Sequence, residues 1–193
     1  MDTNKLEEIL LVKFKNKKLL SQALIHRSAL NETDDLTLAS YERLEFLGDA
    51  VLDLVISEEL YARCQHLDEG GLSKGRSNLV RGSTLAIIAQ ELNLGDFLLL
   101  GKGYRESGGS TTESNLAAAY EAVVAAIYVD QGLDCARDFI IRTYGIRLAD
   151  LTSIDTETNN YKSLLQEHYQ GIGKASPTYR VVSMEGPDHE PVF

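Results

Sequence analysis

The chain has 193 residues, of which 44% are hydrophobic, and a net charge of −10 at pH 7. This length and apolar content predict one sizeable packed domain with room for a small second one, while the acidic balance is not typical of a nucleic-acid binder with a basic surface. The sequence has no apolar run near the roughly 20 residues that cross a bilayer, no signal-peptide start and no cysteine pair at metal-ligand spacing, so we expect a cytoplasmic protein without a membrane contact.

The first 40 residues predict two short helices, over 4–15 and 18–25, and then a polar, acidic loop over 31–40. A basic cluster lies where the two helices meet: Lys13, Lys15, Lys17 and Lys18. We interpret this cluster as a solvated turn rather than as a binding surface. His26, at the end of the second helix, is either a ligand or a structural hydrogen-bonding group, and the second role is the commoner one for a single histidine.

A helix predicted over 41–63 carries three acids, Glu42, Glu45 and Asp49, within an otherwise apolar sequence. Their spacing places all three on one helical face, and no lysine within a turn offsets them. Apolar residues on nearly every other side predict a helix that is buried around most of its circumference. Acids in this setting either form a solvated face or hold a divalent cation, which would offset their mutual repulsion.

The rest of the first 150 residues predicts further helices and no strand alternation. The expected elements are a turn at 68–71, one or two helices over 72–92 that break near Gly82 and Ser83, and helices over 113–131 and 133–148. The glycine-rich segment over 101–110 lacks the residue order of a phosphate-binding P-loop, so we interpret it as a flexible surface loop. Glu121 is the one acid in the middle of the 113–131 helix. These features predict an all-α first domain.

The composition changes after residue 150. A polar linker is predicted over 151–160, followed by a short helix over 161–169 and a strand over 177–184 that is rich in β-branched and aromatic residues. A hairpin turn at 186–189 leads into a second strand at the last residues. An α-β-β fragment of about 33 residues is too small for a stable core of its own.

The segment from Glu42 to Leu52, ERLEFLGDAVL, closely resembles the signature of the ribonuclease III family. Three further blocks resemble this family in the same order along the chain: Ala23–Ser28, Leu79–Ala86 and Glu113–Ala117. The last 33 residues or so are similar to the first half of the double-stranded-RNA-binding domain of bacterial members. The resemblance implies three parts: an all-α endonuclease domain over 1–150, a linker over 151–160 and a partial α+β RNA-binding domain over 161–193.

The resemblance also implies the activity. Members pair into homodimers, with two acidic sites at the ends of a valley along the subunit interface. Each site cuts one strand of an RNA duplex by Mg²⁺-assisted hydrolysis and leaves 5′-phosphate and 3′-hydroxyl ends, as in the processing of ribosomal RNA precursors and messenger RNA. By motif position, Glu45 and Glu121 are the expected metal ligands, and Asp49 and Glu121 are the expected catalytic residues.

The chemistry of the residues agrees with this implied activity. Phosphodiester hydrolysis needs an activated water and a shield for the charge that develops on phosphorus, and a carboxylate-held Mg²⁺ supplies both. Mg²⁺ prefers oxygen ligands and keeps some of its waters, so two or three carboxylates suffice; we expect Mn²⁺ to substitute and no small-molecule cofactor. The resemblance further implies that Glu42 and Glu69 face the RNA and that Phe46 inserts into the partner subunit.

The chain departs from the family pattern three residues before Glu121. The family places an aspartate there as a third metal-binding carboxylate, and this chain has Ala118. We expect the fold to tolerate alanine in a helix, while metal affinity and turnover should fall. Two explanations stay open: a deliberate substitution that prevents cleavage, or a natural variant of weak or lost activity.

The RNA-binding segment is expected to be incomplete. Gln166 and Glu167 match the family helix that enters the minor groove, and His189 matches the hairpin tip. The lysine-rich helix that grips phosphates would lie beyond residue 193, so we expect weaker RNA binding than in a complete homologue. The rival function is a catalytically silent duplex-RNA-binding protein on the same scaffold, and the more distant rival is an unrelated helical metal-binding protein.

Overall fold

A computed structural model of the protein describes residues 2–33, 35, 37–149, 165, 169, 171–173 and 177. The chain divides into two compact units, Met1–Ile154 and Asp155–Phe193. The predicted linker and nearly all of the predicted RNA-binding segment, with Gln166, Glu167 and His189, lie outside the described residues. The fold is therefore described for the first unit.

The first unit is helical. Its elements are α1 (Thr3–Leu10), α2 (Lys17–Gln22), α3 (Arg27–Leu30), α4 (Glu42–Arg63), α5 (Glu69–Val80), α6 (Gly82–Glu91), α7 (Leu94–Phe97), α8 (Lys102–Glu106), a 3₁₀ turn (Gly109–Thr111), α9 (Glu113–Gln131), α10 (Leu133–Tyr144) and α11 (Ile146–Ala149). Within the described ranges, strand-type pairing is limited to one parallel bridge between Ile25 and Leu99. The all-α prediction is confirmed for this part of the chain. None of the described helices combines the length and hydropathy that a membrane span requires.

Helix α9 forms the centre of the core. Every residue from Asn115 to Ile127 except Glu121 is buried. A helix that is apolar on almost every side belongs in an interior, and α9 accordingly packs against α4, α6 and α10. Small alanine side chains on several of its faces let these neighbours approach closely. Glu121 is thus a half-buried carboxylate on the most buried helix of the unit.

The connection between α1 and α2 is held by carboxylates. The predicted 4–15 helix ends at Leu10 because Leu11 adopts a left-handed conformation with φ of 52°. The Glu7 carboxylate accepts a hydrogen bond from the Phe14 N–H at 2.8 Å. The Asp130 carboxylate, near the end of α9, accepts hydrogen bonds from the N–H groups of Lys15 at 2.8 Å and Asn16 at 2.9 Å. The lysine-rich turn is therefore a fixed part of the fold, while its lysine side chains are exposed.

Two other predictions for glycine-rich segments were wrong. The predicted turn at 68–71 is the start of α5, because the Asp68 carboxylate accepts a hydrogen bond from the Gly71 N–H at 2.8 Å and caps the helix. The predicted loop over 101–110 contains α8 and the first two residues of the 3₁₀ turn.

The remaining helix predictions need smaller corrections. The predicted 18–25 helix ends at Gln22, since Ile25 pairs with Leu99, and the predicted 133–148 helix is interrupted at Gly145, whose φ is 48°. The predicted break near Gly82 is confirmed. The predictions for 41–63 and 113–131 are confirmed to within one residue.

The environment of the Glu7 carboxylate indicates how the stability of this unit depends on pH. Its carboxylate is buried, and the pKa of Glu7 is lowered chiefly by the Phe14 hydrogen bond and then by Lys17, against the opposing effect of burial. A group whose pKa is lower in the folded than in the unfolded state stabilises the fold above its ordinary pKa, and this stabilisation is lost as the pH falls through the lowered value.

We expect Glu7→Gln to lower the melting temperature at pH 7, and the difference from wild type to shrink in acid. Thermal unfolding between pH 7 and pH 3 measures this, with Glu8→Gln, at the exposed neighbouring position, as a control that should change little.

Candidate active site

The acidic row on α4 has the predicted geometry in part. Glu42 and Asp49 are exposed, and Glu45 between them is half-buried. The pKa of Glu45 is raised first by burial and then by the negative charges of Glu42 and Asp49. The three carboxylates therefore interact along one helical face, as their spacing predicts.

Glu121 meets this row where α9 crosses α4. A Cβ atom placed on Gly48 would lie 1.9 Å from the backbone carbonyl oxygen of Glu121, so only glycine permits this contact. The crossing puts the Glu121 backbone against the residue that precedes Asp49. The pKa of Glu121 is raised to about 8, first by burial and then by the charges of Asp49, Glu45 and Asp53, in that order. The sequence-predicted trio of Glu45, Asp49 and Glu121 is thus brought together by two helices.

Asp53 is a further acid close enough to act on Glu121 that the sequence analysis did not single out. It lies on α4 one turn after Asp49, and its charge acts on Glu121. The signal was present, because a residue four positions after Asp49 lies on the same helical face. The row that faces Glu121 therefore extends over Glu45, Asp49 and Asp53.

The donor set suits a hard cation. The charged groups that raise the pKa of Glu121 are all carboxylates, and no positively charged side chain is among the causes of the shift. Among the residues the structure describes, no group of three or more His, Cys, Asp or Glu side chains is arranged so that it could hold a metal ion by itself. A cation that keeps several of its waters, as Mg²⁺ does, needs only one or two direct carboxylate ligands. Ala118, one turn before Glu121, is buried and offers no donor.

A polar network fixes the start of both helices. The Asn115 side-chain amide is buried in α9 and donates to the Tyr104 hydroxyl at 3.1 Å and to the Gly109 carbonyl at 2.6 Å. The Tyr41 hydroxyl, from the residue that precedes α4, donates to the side-chain amide oxygen of Asn115 at 3.5 Å. The Tyr41 ring also lies against His26, with centroids 5.8 Å apart. The network therefore ties the first turns of α4 and α9 to the segments on either side.

His26 has the structural role that was the commoner alternative. Its Nδ1 accepts a hydrogen bond from the Ser28 N–H at 3.1 Å and lies 2.7 Å from the Ser28 hydroxyl. This contact caps α3. Burial lowers the pKa of His26, and the adjacent Arg27 lowers it further.

The prediction that α4 is buried around most of its circumference was wrong for the single chain. One stripe of α4 is exposed, and its residues define what we term the outer face: Phe46, Ala50, Leu54 and Tyr61. Phe46 is 81% exposed and Tyr61 is 77% exposed. Large apolar side chains in a continuous exposed stripe are typical of an interaction surface.

Glu69 does not join the acidic row within one chain. It lies in the first turn of α5, where its carboxylate accepts a hydrogen bond from the Ser73 hydroxyl at 3.1 Å. It lines a cavity of 240 Å³ together with Leu60 and Tyr61, near the end of α4. Since a helix rises about 1.5 Å per residue, Leu60 is roughly 22 Å along α4 from Glu45.

Comparison with known proteins assigns the family. A family model described as Ribonuclease-III-like matches residues 16–147. A Ribonuclease 3 of Shewanella baltica is 47% identical over 180 residues, which are 93% of this chain and 76% of that relative. The chain belongs to the ribonuclease III family. A Ribonuclease 3 of Shewanella oneidensis is 46% identical over the same length.

Solved structures agree with this assignment. The nuclease domain of ribonuclease III from Campylobacter jejuni matches with a TM-score of 0.68 and 42% identity, covering 74% of this chain and 95% of that one. That structure is described as showing flexibility in a region involved in dimer formation. A Dicer from Pichia stipitis matches with a TM-score of 0.54 and 26% identity over 91% of this chain and 77% of that one. The protein is accordingly an endoribonuclease of the ribonuclease III type, a family of metal-dependent enzymes.

The Gly48 contact gives a direct test of the crossing. In Gly48→Ala the added methyl group would meet the Glu121 backbone, which cannot move aside as a side chain can. We expect destabilisation of about 1–3 kcal/mol or more, together with loss of nuclease activity.

Thermal unfolding and an RNA cleavage assay measure the two effects. Gly103→Ala is the matched control, because a Cβ there would meet nothing within 4 Å and the residue lies in a short exposed helix. A Gly48→Ala variant with wild-type melting temperature would show that the two helices are farther apart than described.

Proposed function

We propose that this ribonuclease III protein is a Mg²⁺-dependent endonuclease that cleaves both strands of double-stranded RNA as a homodimer, leaving 5′-phosphate and 3′-hydroxyl ends. Its proposed substrates are ribosomal RNA precursors and messenger RNA in the cytoplasm. The observation that carries the proposal is the meeting of Glu121 with Glu45 and Asp49 at the Gly48 crossing. Family membership supports it independently.

The proposed roles follow from position and burial. Glu45 and Glu121 are both partly withdrawn from water and converge from two helices, so they are assigned as metal ligands. Asp49 lies one turn from Glu45 on α4, is exposed, and is assigned with Glu121 as catalytic. A bound Mg²⁺, or Mn²⁺ in its place, would activate water and offset the developing charge on phosphorus.

The proposed homodimer accounts for the outer face of α4. Phe46 is assigned as the dimer contact, since an aromatic side chain that is 81% exposed gains most from being covered by a partner. Dimerisation would also explain Glu69, which one chain leaves far from its own acidic row. Glu42 and Glu69 are assigned as acids that face the RNA, and Gln166, Glu167 and His189 as residues of the RNA-binding segment outside the described residues.

Ala118 favours a second candidate function. The position assigned to a third metal-binding carboxylate holds a buried methyl group, so metal affinity and turnover are expected to be impaired. If the loss is complete, the chain is a catalytically silent double-stranded-RNA-binding protein on the nuclease scaffold. The two functions differ only in whether bound RNA is cut.

A labelled RNA hairpin separates the two functions. We expect slow cleavage by the wild-type chain with Mg²⁺ or Mn²⁺, no cleavage after the metal is removed with EDTA, and none by Asp49→Asn or Glu121→Gln. Gel electrophoresis reports the cleavage, and unfolding curves verify that the variants are folded. Binding without cleavage in either metal would identify the silent RNA-binding protein, and cleavage by Asp49→Asn would contradict the assigned site.

Restoring the missing acid tests the role of position 118. We expect Ala118→Asp to raise Mg²⁺-dependent cleavage of duplex RNA at least about tenfold, because it adds a hard oxygen ligand one turn from Glu121. Ala118→Asn is the control, with nearly the same shape and no charge. Single-turnover kinetics that show no gain, or an equal gain for both variants, would mean that residue 118 is not a metal-ligand position.

A further inference from the structure

An open pocket lies near Glu42, the first acid of the row, because its lining residue Arg27 contacts the Glu42 carboxylate. We term it the His26–Tyr104 pocket; its volume is 430 Å³, and its lining residues are His26, Arg27, Ser28, Asn31 and Tyr104. None of these residues has a role in the proposed cleavage. The pocket combines two aromatic rings with a guanidinium group and an amide, which is the chemistry that binds a nucleobase and its phosphate.

The aromatic wall of the pocket is held in place. The Tyr104 and His26 rings stack with centroids 4.9 Å apart and planes inclined by 25°. The Tyr104 hydroxyl accepts a hydrogen bond from the buried Asn115 amide at 3.1 Å, and the ring lies against Gly109, where a Cβ would come within 2.9 Å of it. Tyr104 is nevertheless 37% exposed. A fixed, accessible ring can bind a base with little loss of side-chain entropy.

The polar groups of the pocket leave donors for a ligand. His26 Nδ1 accepts a hydrogen bond from the Ser28 N–H, so the neutral ring carries its hydrogen on Nε2 and can donate from there. The Ser28 hydroxyl is already engaged, since it accepts from the Gly101 N–H at 2.9 Å. The Asn31 side chain makes no hydrogen bond to any residue in the described part of the chain. An amide and an imidazole N–H are suited to the edge of a base.

Arg27 connects the pocket to the acidic row. Its guanidinium is 75% exposed and lies 3.8 Å from the carboxylate of Glu42, the first acid of the row. An exposed ion pair of this length is weak, so the guanidinium is available to a phosphate, which it can bind through two hydrogen bonds. Arg27 therefore links the first acid of the row to the pocket that it lines.

We propose that the His26–Tyr104 pocket binds an unpaired nucleotide that flanks the duplex, with the base against the Tyr104 ring and its phosphate on Arg27. This inference rests on the proposed function, since it presumes that duplex RNA occupies the acidic row. It adds a recognition element for the junction between paired and unpaired RNA. An unpaired base is the form that an aromatic pocket can accept, because a paired base is already stacked within the duplex.

The test compares two RNAs in the Asp49→Asn background, which allows Mg²⁺ to be present without cleavage. One RNA is a blunt duplex, and the other is the same duplex with three unpaired nucleotides at each 3′ end. Fluorescence anisotropy gives the two dissociation constants and hence an affinity ratio for each protein. We expect the flanked RNA to bind about fivefold tighter or more, in keeping with the stacking of one base on an aromatic side chain.

Substitutions in the pocket test whether the affinity ratio between the two RNAs depends on it. Tyr104→Leu and Arg27→Gln should each bring the ratio close to one, whereas Tyr128→Leu, at a tyrosine of matched exposure (36%) on α9, should keep it. Arg27→Gln changes an exposed side chain and serves as the decisive variant if Tyr104→Leu does not fold. Tyr104→Phe keeps the ring and should keep the ratio.

The outcomes separate this inference from the proposed function. If both RNAs bind equally well, or if the ratio survives Tyr104→Leu and Arg27→Gln, the pocket proposal is wrong and the duplex-binding function stands. If neither RNA binds, the proposed function itself is wrong. Competition by inorganic phosphate that is as strong as competition by adenosine monophosphate would show an anion site without base recognition and would also overturn the proposal.

Discussion

The contact between Gly48 and the backbone of Glu121 is the constraint on which the rest of the site depends. Two long helices, α4 and α9, can cross this closely only because one of them has no side chain at the crossing point. The closeness brings a carboxylate from the buried helix beside a row of carboxylates on the other.

The crossing brings several carboxylates together, and their mutual repulsion does not stabilise the fold. Burial and neighbouring carboxylates both raise the pKa of Glu121, so the arrangement opposes its ionisation in the isolated chain. The core around α9 is large enough to carry this local cost, since all of its other residues between Asn115 and Ile127 are buried. Charged groups whose positions destabilise the folded protein are common at functional sites.

The same hydrogen bonds and ring contacts hold both the candidate active site and the neighbouring His26–Tyr104 pocket. Asn115 lies in the first turns of α9 and fixes the Tyr104 ring, while Tyr41, at the start of α4, contacts both Asn115 and His26. The beginnings of the two helices that form the crossing therefore also set the shape of the His26–Tyr104 pocket. The same hydrogen bonds would therefore fix the position of the RNA-binding pocket relative to the cleavage site.

Local pattern was enough for the long helices and for part of the site. The bounds of α4 and α9 follow from apolar periodicity, and the common face of Glu42, Glu45 and Asp49 follows from the helical repeat. The start of α5 was also encoded locally, in the cap provided by Asp68, although the glycines after it favoured a turn. The signature of the ribonuclease III family was visible in the sequence as well.

Tertiary structure alone decided where these helices meet and which surfaces they leave uncovered. The 101–110 segment is ordered because the Gly101 N–H donates to Ser28 and the Lys102 N–H donates to Glu32, partners about 70 positions away that no local pattern can pair. The register that sets Glu121 against Gly48, the exposure of the outer face of α4 and the pocket between His26 and Tyr104 have the same origin. Each depends on the distance between elements remote in the chain, which is set by the packing of whole side chains and not by the periodicity of any one segment.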